Sequence, residues 1–250
     1  MRKQNSILAL ALLLNLVGSS PAAQNSIEGH WEGVMVREGA ELPVSFDFMS
    51  EGVEFTASFN SPTQRATGIP LRKVSYSAPR LHFELVGDAT TIIFDGELTV
   101  DTTAGQFREG DARGTFSIRR VNAKPLTFKQ EEVSFRNGDV TLSGTLLIPL
   151  TKGTHPAVVF LHGAGSEGRY GARFLAEYFT RYGIAALIYD KRGVGKSTGD
   201  WKRSDFGDLA GDAIAGVHFL QQRSEINPKE IGLYGHSQGG MHSLTSPLDC

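Results

Sequence analysis

The chain has 250 residues, enough for one large domain or two modest ones and for a sizeable buried core. Its 25 Lys and Arg nearly balance 27 Asp and Glu, a formal net charge of -2, and no long run of one sign occurs, so no nucleic-acid partner is expected. Hydrophobic residues at 40% and charged residues at 21% exclude collagen-like, coiled-coil and multi-span membrane chains, and the single cysteine, Cys250, excludes a disulfide framework.

The chain opens on Met1-Arg2-Lys3, an apolar run from Ile7 to Val17, and then Gly18-Ser19-Ser20-Pro21-Ala22-Ala23. Charge, apolar core and small residues in that order are those of a secretory signal over 1–23, with cleavage expected after Ala22 or Ala23. The run is too short to span a bilayer, which takes about 20 apolar residues, and it carries Asn15. Cleavage removes Arg2 and Lys3, leaving 23 basic against 27 acidic residues. No cysteine lies near the cleavage site for a lipid anchor, so no membrane attachment is expected afterwards. Export without disulfides suits a periplasmic or secreted bacterial protein.

Residues 24–122 are expected to form a small β-rich domain. Leu42, Val44, Phe46 and Phe48 alternate with polar residues, as do Val53, Phe55, Ala57 and Phe59, then Leu81, Phe83 and Leu85. This period of two marks strands with one buried face. Breaks fall at Ser50-Glu51-Gly52, Gly87-Asp88, Asp101 to Gly105 and Glu109-Gly110-Asp111. Short strands without intervening helices argue for an antiparallel barrel or sandwich, with Trp31 and the alternating phenylalanines as packed core.

After Val121-Asn122-Ala123-Lys124-Pro125 the character changes, and residues 123–250 are expected to form an α/β domain. Glu132 to Phe135 and Val140 to Ile148 flank Asn137-Gly138, a hairpin signal. Ala157 to Leu161 and Ile184 to Tyr189 read as strands buried on both faces. Between them a helix over 172–182 gathers Phe174, Leu175, Tyr178 and Phe179 on one face and ends at Gly183. A second helix, 206–222, lines Leu209, Ala213, Val217 and Leu220 on one face, and Ile231 to Tyr234 is a further strand. Strand and helix alternating in this order predict a right-handed parallel α/β sheet.

The last of those strands runs into Gly235-His236-Ser237-Gln238-Gly239, the Gly-x-Ser-x-Gly pattern of a nucleophile elbow. Glycines two residues either side of Ser237 let strand and helix approach while the serine holds a strained backbone. The strand ending at Leu161 runs into His162-Gly163-Ala164-Gly165, a glycine-rich turn able to aim backbone N–H groups at a developing oxyanion. Ala164 and Gln238 are the expected main-chain donors.

These pieces, with Asp190-Lys191-Arg192-Gly193-Val194-Gly195-Lys196-Ser197 between them, resemble the α/β-hydrolase family, in its serine aminopeptidase-like and dienelactone hydrolase-like branches. The resemblance covers about residues 128 to 241, roughly the first half of a hydrolase domain. The segment Gly29-His30-Trp31-Glu32-Gly33, with Ser61-Pro62-Thr63-Gln64 and Gly68-Ile69-Pro70, is similar to the β-rich extension that precedes some exported members. The resemblance implies Ser237 as nucleophile, an acyl-enzyme, and a small ester or peptide or amide substrate, with no cofactor.

It also implies a carboxylate and then a histidine after the serine. Only His242 and Asp249 follow. Five residues along a helix turn His242 by about 500 degrees, away from the Ser237 hydroxyl, so no triad acid or triad histidine is assigned. Pro247 falls where a helix interior is expected, and the expectation is a truncated or frameshifted product with impaired activity. Gly195-Lys196-Ser197 mimics the close of a phosphate-binding loop, but Asp190 occupies its first glycine position; Asp190 and Arg192 then brace turns around the site. His30, His82, His155 and His218 lack metal-ligand spacing, so no metal is expected. The alternative function is a ligand-binding β domain carried on a relic hydrolase scaffold.

Overall fold

The computed structural model describes residues 26–240, apart from Val53, Asp88 and the side chain of Glu51. The signal-like segment, His242, Pro247, Asp249 and Cys250 lie outside the described residues. Among those described, no helix is long and apolar enough to cross a membrane.

The β-rich part is a single antiparallel sheet of nine strands: β1 (Gly29–Arg37), β2 (Ala40–Glu51), β3 (Glu54–Ser61), β4 (Ala66–Pro70), β5 (Arg72–Ser77), β6 (Arg80–Val86), β7 (Thr91–Thr99), β8 (Thr102–Glu109) and β9 (Ala112–Val121). Their order is β4-β3-β2-β1-β9-β8-β7-β6-β5. The Leu71 N–H, just before β5, donates to Ala57 O of β3 at 2.8 Å, drawing the two ends of the sheet together into a nearly closed barrel. Alternation turns Phe46, Phe83, Phe94 and Phe116 inward, where they are fully buried. Phe83 stacks on Phe94 at 4.6 Å and meets Phe46 at 5.1 Å, so phenyl rings fill the interior. Trp31 is fully buried and donates its indole N–H to Ile27 O at 2.8 Å, holding the entering chain against the barrel floor. The packed-core reading of these aromatics is borne out.

One expected break is corrected. The turn before β8 is Val100-Asp101, and Gly105 lies inside the strand opposite Gly96. A Cβ at Gly105 would sit 2.1 Å from Asp95 O, so this glycine permits close strand approach in a strongly coiled sheet.

Downstream, five strands form a mixed sheet in the order β10-β11-β13-β12-β14. They are β10 (Phe128–Asn137), β11 (Val140–Pro149), β12 (His155–Leu161), β13 (Ala185–Tyr189) and β14 (Ile226–Gly235), with helices α1 (Tyr170–Arg181) and α2 (Phe206–Gln221). The β10–β11 hairpin closes at Asn137 opposite Val140, and β11 is antiparallel to β13. The expected parallel core is β13, β12 and β14. Ala176 of α1 packs on Phe160, Ala186 and Ile188, whereas Ala213, Val217 and Leu220 of α2 pack on the opposite face with Val159 and Leu187. Both faces are thereby covered, the condition for the continuous apolar runs of β12 and β13. Gly183, at φ +88°, ends α1 as expected. Tyr178 departs from its expected buried face: it is exposed and packs on Tyr182 at 4.8 Å.

Candidate active site

The backbone brings the two glycine-rich segments together. β12 and β14 are parallel neighbours with Leu161 opposite Gly235. The turn beginning at His162 and the bend beginning at His236 therefore leave the same edge of the sheet side by side. Ser237 has φ +55°, a left-handed conformation costing a non-glycine residue about 1–3 kcal/mol. Its neighbours make that conformation possible. A Cβ at Gly235 would sit 2.3 Å from the carbonyl carbon of Gly239, and one at Gly239 would sit 2.8 Å from His162 O. The chain then turns directly into a helix, with Gly239 N–H donating to His236 O and Gly240 N–H to Ser237 O, each at 3.0 Å. Ser237 itself is exposed, and neither of these bonds engages the N–H of Gln238.

In the facing turn, Glu167 accepts the Gly163 N–H at 2.7 Å, leaving Ala164 as the next amide. Gly165, at φ +96°, completes the turn. His162 donates its Nε2–H to Tyr189 O at 2.6 Å and sets its ring edge-on against Tyr189. Burial, chiefly, holds its imidazole below the usual histidine range, so it serves as a neutral donor fixing β12 to β13. Ser237, Ala164 and Gln238 thus follow the ends of two neighbouring parallel strands, β14 and β12.

Residues 153–249 match the family described as serine aminopeptidase, S33. Over these residues the chain is similar to α/β-hydrolases. It is 30% identical over 131 residues to the quorum-quenching protein AidA of Acinetobacter baumannii, covering 52% of this chain and 41% of that protein. It is 34% identical over 115 residues to the thiohydrolase aneE of Aspergillus aculeatus, covering 45% and 36%. The chain spans about two fifths of the length of these curated relatives. Among solved structures, it is similar to the α/β hydrolase GrgF from a Penicillium species, at 28% identity and TM-score 0.43, covering 47% of this chain and 41% of that one.

Two buried ion pairs lie beside the candidate site. Arg169, at the start of α1, meets Asp190 through Nε–Oδ1 at 3.1 Å and Nη2–Oδ2 at 2.9 Å, and both side chains are nearly inaccessible. Arg169 also reaches Glu132 at 2.8 Å, Thr145 Oγ1 at 3.0 Å and Ser143 Oγ at 2.6 Å, while the Lys196 N–H donates to Asp190 at 3.1 Å. Burial acts to raise the Asp190 carboxyl, but the donors from Arg169 and Lys196 outweigh it and hold it below the ordinary carboxylate range. Arg192 forms the second pair, with Asp212 of α2 at 2.8 and 2.7 Å, and Asn137 of the hairpin joins Asp212 at 2.9 Å. Asp190 and Arg192 thus brace the turns, as the failed phosphate-loop pattern suggested.

Sequence reasoning assigned no role to Arg169, Glu167 or Lys191. Each is a charged residue in or beside a loop, which by itself reads as solvated surface. Arg169 and Lys191 are in fact 3% and 2% exposed. The one available signal was the placement of Lys191 inside the Asp190-to-Ser197 motif.

Proposed function

We propose that the protein is a serine hydrolase acting on a small ester or on a peptide or amide bond. The Ser237 hydroxyl attacks the substrate carbonyl carbon and gives its proton to a general base. The Ala164 and Gln238 N–H groups receive the oxyanion. Collapse breaks the acyl bond, the departing alcohol or amine takes the proton, and water releases the acyl group from Ser237. The observation supporting this reading is the φ of +55° at Ser237, at the end of β14 and beside the His162–Gly165 turn. A relative named as a thiohydrolase fits the same acyl chemistry.

In this reading the base and its carboxylate follow the serine in the chain. We further propose that Met1–Ala23 directs export to the periplasm or beyond, and that residues 24–122 form a separate β-rich unit before the hydrolase unit.

The test is a fluorophosphonate probe with the adduct located by peptide mass spectrometry. The adduct is expected on Ser237 and absent from Ser237→Ala. A chain that continues through an aspartate and a histidine should label about 10³-fold or more faster than residues 1–250 alone, the scale of losing a triad base. Labelling that survives Ser237→Ala, or equal rates for both chain lengths, would overturn the reading.

A further inference from the structure

We infer that Lys191 is a positioning residue that couples the two oxyanion donors, holding the Gly163–Gly165 turn and the Gln238 side chain from a single buried ammonium. The catalytic meaning of this coupling rests on the proposed role of Ser237; the coupling itself does not.

Lys191 follows β13 and is 2% exposed. Its Nζ donates to Gly163 O at 2.9 Å, to Gly165 O at 3.1 Å and to Gln238 Oε1 at 3.3 Å. An ammonium has three N–H donors and no lone pair. All three donors are engaged, so this group is a clamp rather than a base. Two of its partners belong to the turn after β12, and the third belongs to the bend after β14. The indole of Trp201 covers the cation at 5.2 Å.

The bond to Gly163 O has a directional consequence. That carbonyl and the Ala164 N–H belong to the same peptide unit, which is planar and trans, so the two groups point in opposite directions. Gripping the carbonyl fixes where the Ala164 N–H aims, and it also polarises the peptide toward donation. On the other side, Glu167 holds the preceding amide, Gly163 N–H, at 2.7 Å. The Gln238 side chain is fixed through its Oε1, restraining the residue whose own main-chain N–H is the second donor. Burial lowers the Lys191 pKa, with the Glu167 carboxylate opposing that shift. A cation kept here against its desolvation cost, where an apolar residue could pack, is explained by the geometry it specifies.

Amide hydrogen exchange on the substrate-free chain tests the coupling. Gln238→Met removes only the third acceptor. Exchange over residues 162–168 should nevertheless rise about 10-fold, because the Gln238 side chain reaches that turn through Lys191. Lys191→Met should raise exchange about 100-fold in both 162–168 and 236–240, leaving β13 unchanged. In hydrolysis of a p-nitrophenyl ester by a chain that supplies the base, Lys191→Met should lower kcat about 100-fold with KM within twofold. Unchanged exchange at 162–168 in Gln238→Met overturns the coupling even if Lys191→Met fails to fold. Intact coupling in a protein whose Ser237 never takes a label would instead overturn the hydrolase reading and leave the clamp standing.

Discussion

Exchanging Asp190 for Asn should destabilise the protein by about 3–5 kcal/mol at neutral pH, the cost of breaking a buried ion pair from one side. Asn preserves the shape but removes the charge that faces Arg169. The guanidinium would remain 3% exposed, with Ser143, Thr145 and the Glu132 carboxylate as its other partners. Glu132 is 66% exposed on its side chain, so solvent screens it and it cannot replace Asp190. The pH dependence has a definite sign. The folded-state pKa of Asp190 is lowered, so its contribution is fully present above the unfolded value and is lost as pH falls through the folded one. Denaturant midpoints should therefore separate wild type from Asp190→Asn at pH 7 and converge below about pH 4. Equal stability at pH 7, or a gap that widens on acidification, would contradict the bracing role.

Gly235→Ala should reduce fluorophosphonate labelling of Ser237 by about 100-fold or more, since displacements near 1 Å at a reacting atom cost about that much. The added methyl would sit 2.3 Å from the carbonyl carbon and 2.4 Å from the oxygen of Gly239, and these are backbone atoms with no rotamer to change. Strand and helix must separate, moving the bend that holds Ser237, with a stability loss of about 1–3 kcal/mol from overpacking. Gly232→Ala in the same strand is the matched control. Nothing lies within 4 Å of a Cβ there, so labelling and stability should both stay at wild-type levels. Equal labelling in the two variants would show that the bend does not depend on strand and helix meeting at Gly235.

Much of this arrangement was legible in the residues because the physics behind it is local. The phenylalanines of the barrel announce their strands through period two, and β12 and β13 announce theirs through unbroken apolar runs. The Ser237 bend was legible because close backbone approach demands glycine at 235 and 239 and nowhere between. Other features depend on neighbours distant in the chain. β4 and β5 bury none of their residues fully, so they lack a strong alternation, and their place comes from pairing with β3 and β6. β14 begins five residues before its apolar segment because Asn227 to Glu230 are largely exposed yet still in the strand. Tyr178 has helical spacing for burial but is exposed and packs on Tyr182 instead. The burial of Arg169 and Lys191 is set by segments more than 20 residues away, and no local pattern marks a cation that tertiary packing will enclose.

The most direct test of the central claim is a crystal structure of the protein carrying a phosphonate adduct on Ser237, in a chain that supplies the base. The phosphoryl oxygen should lie about 2.7–3.1 Å from the backbone nitrogens of both Ala164 and Gln238, the range for a working oxyanion site. An adduct whose oxygen points to solvent, or is held by other donors while these two amides face elsewhere, would contradict the account.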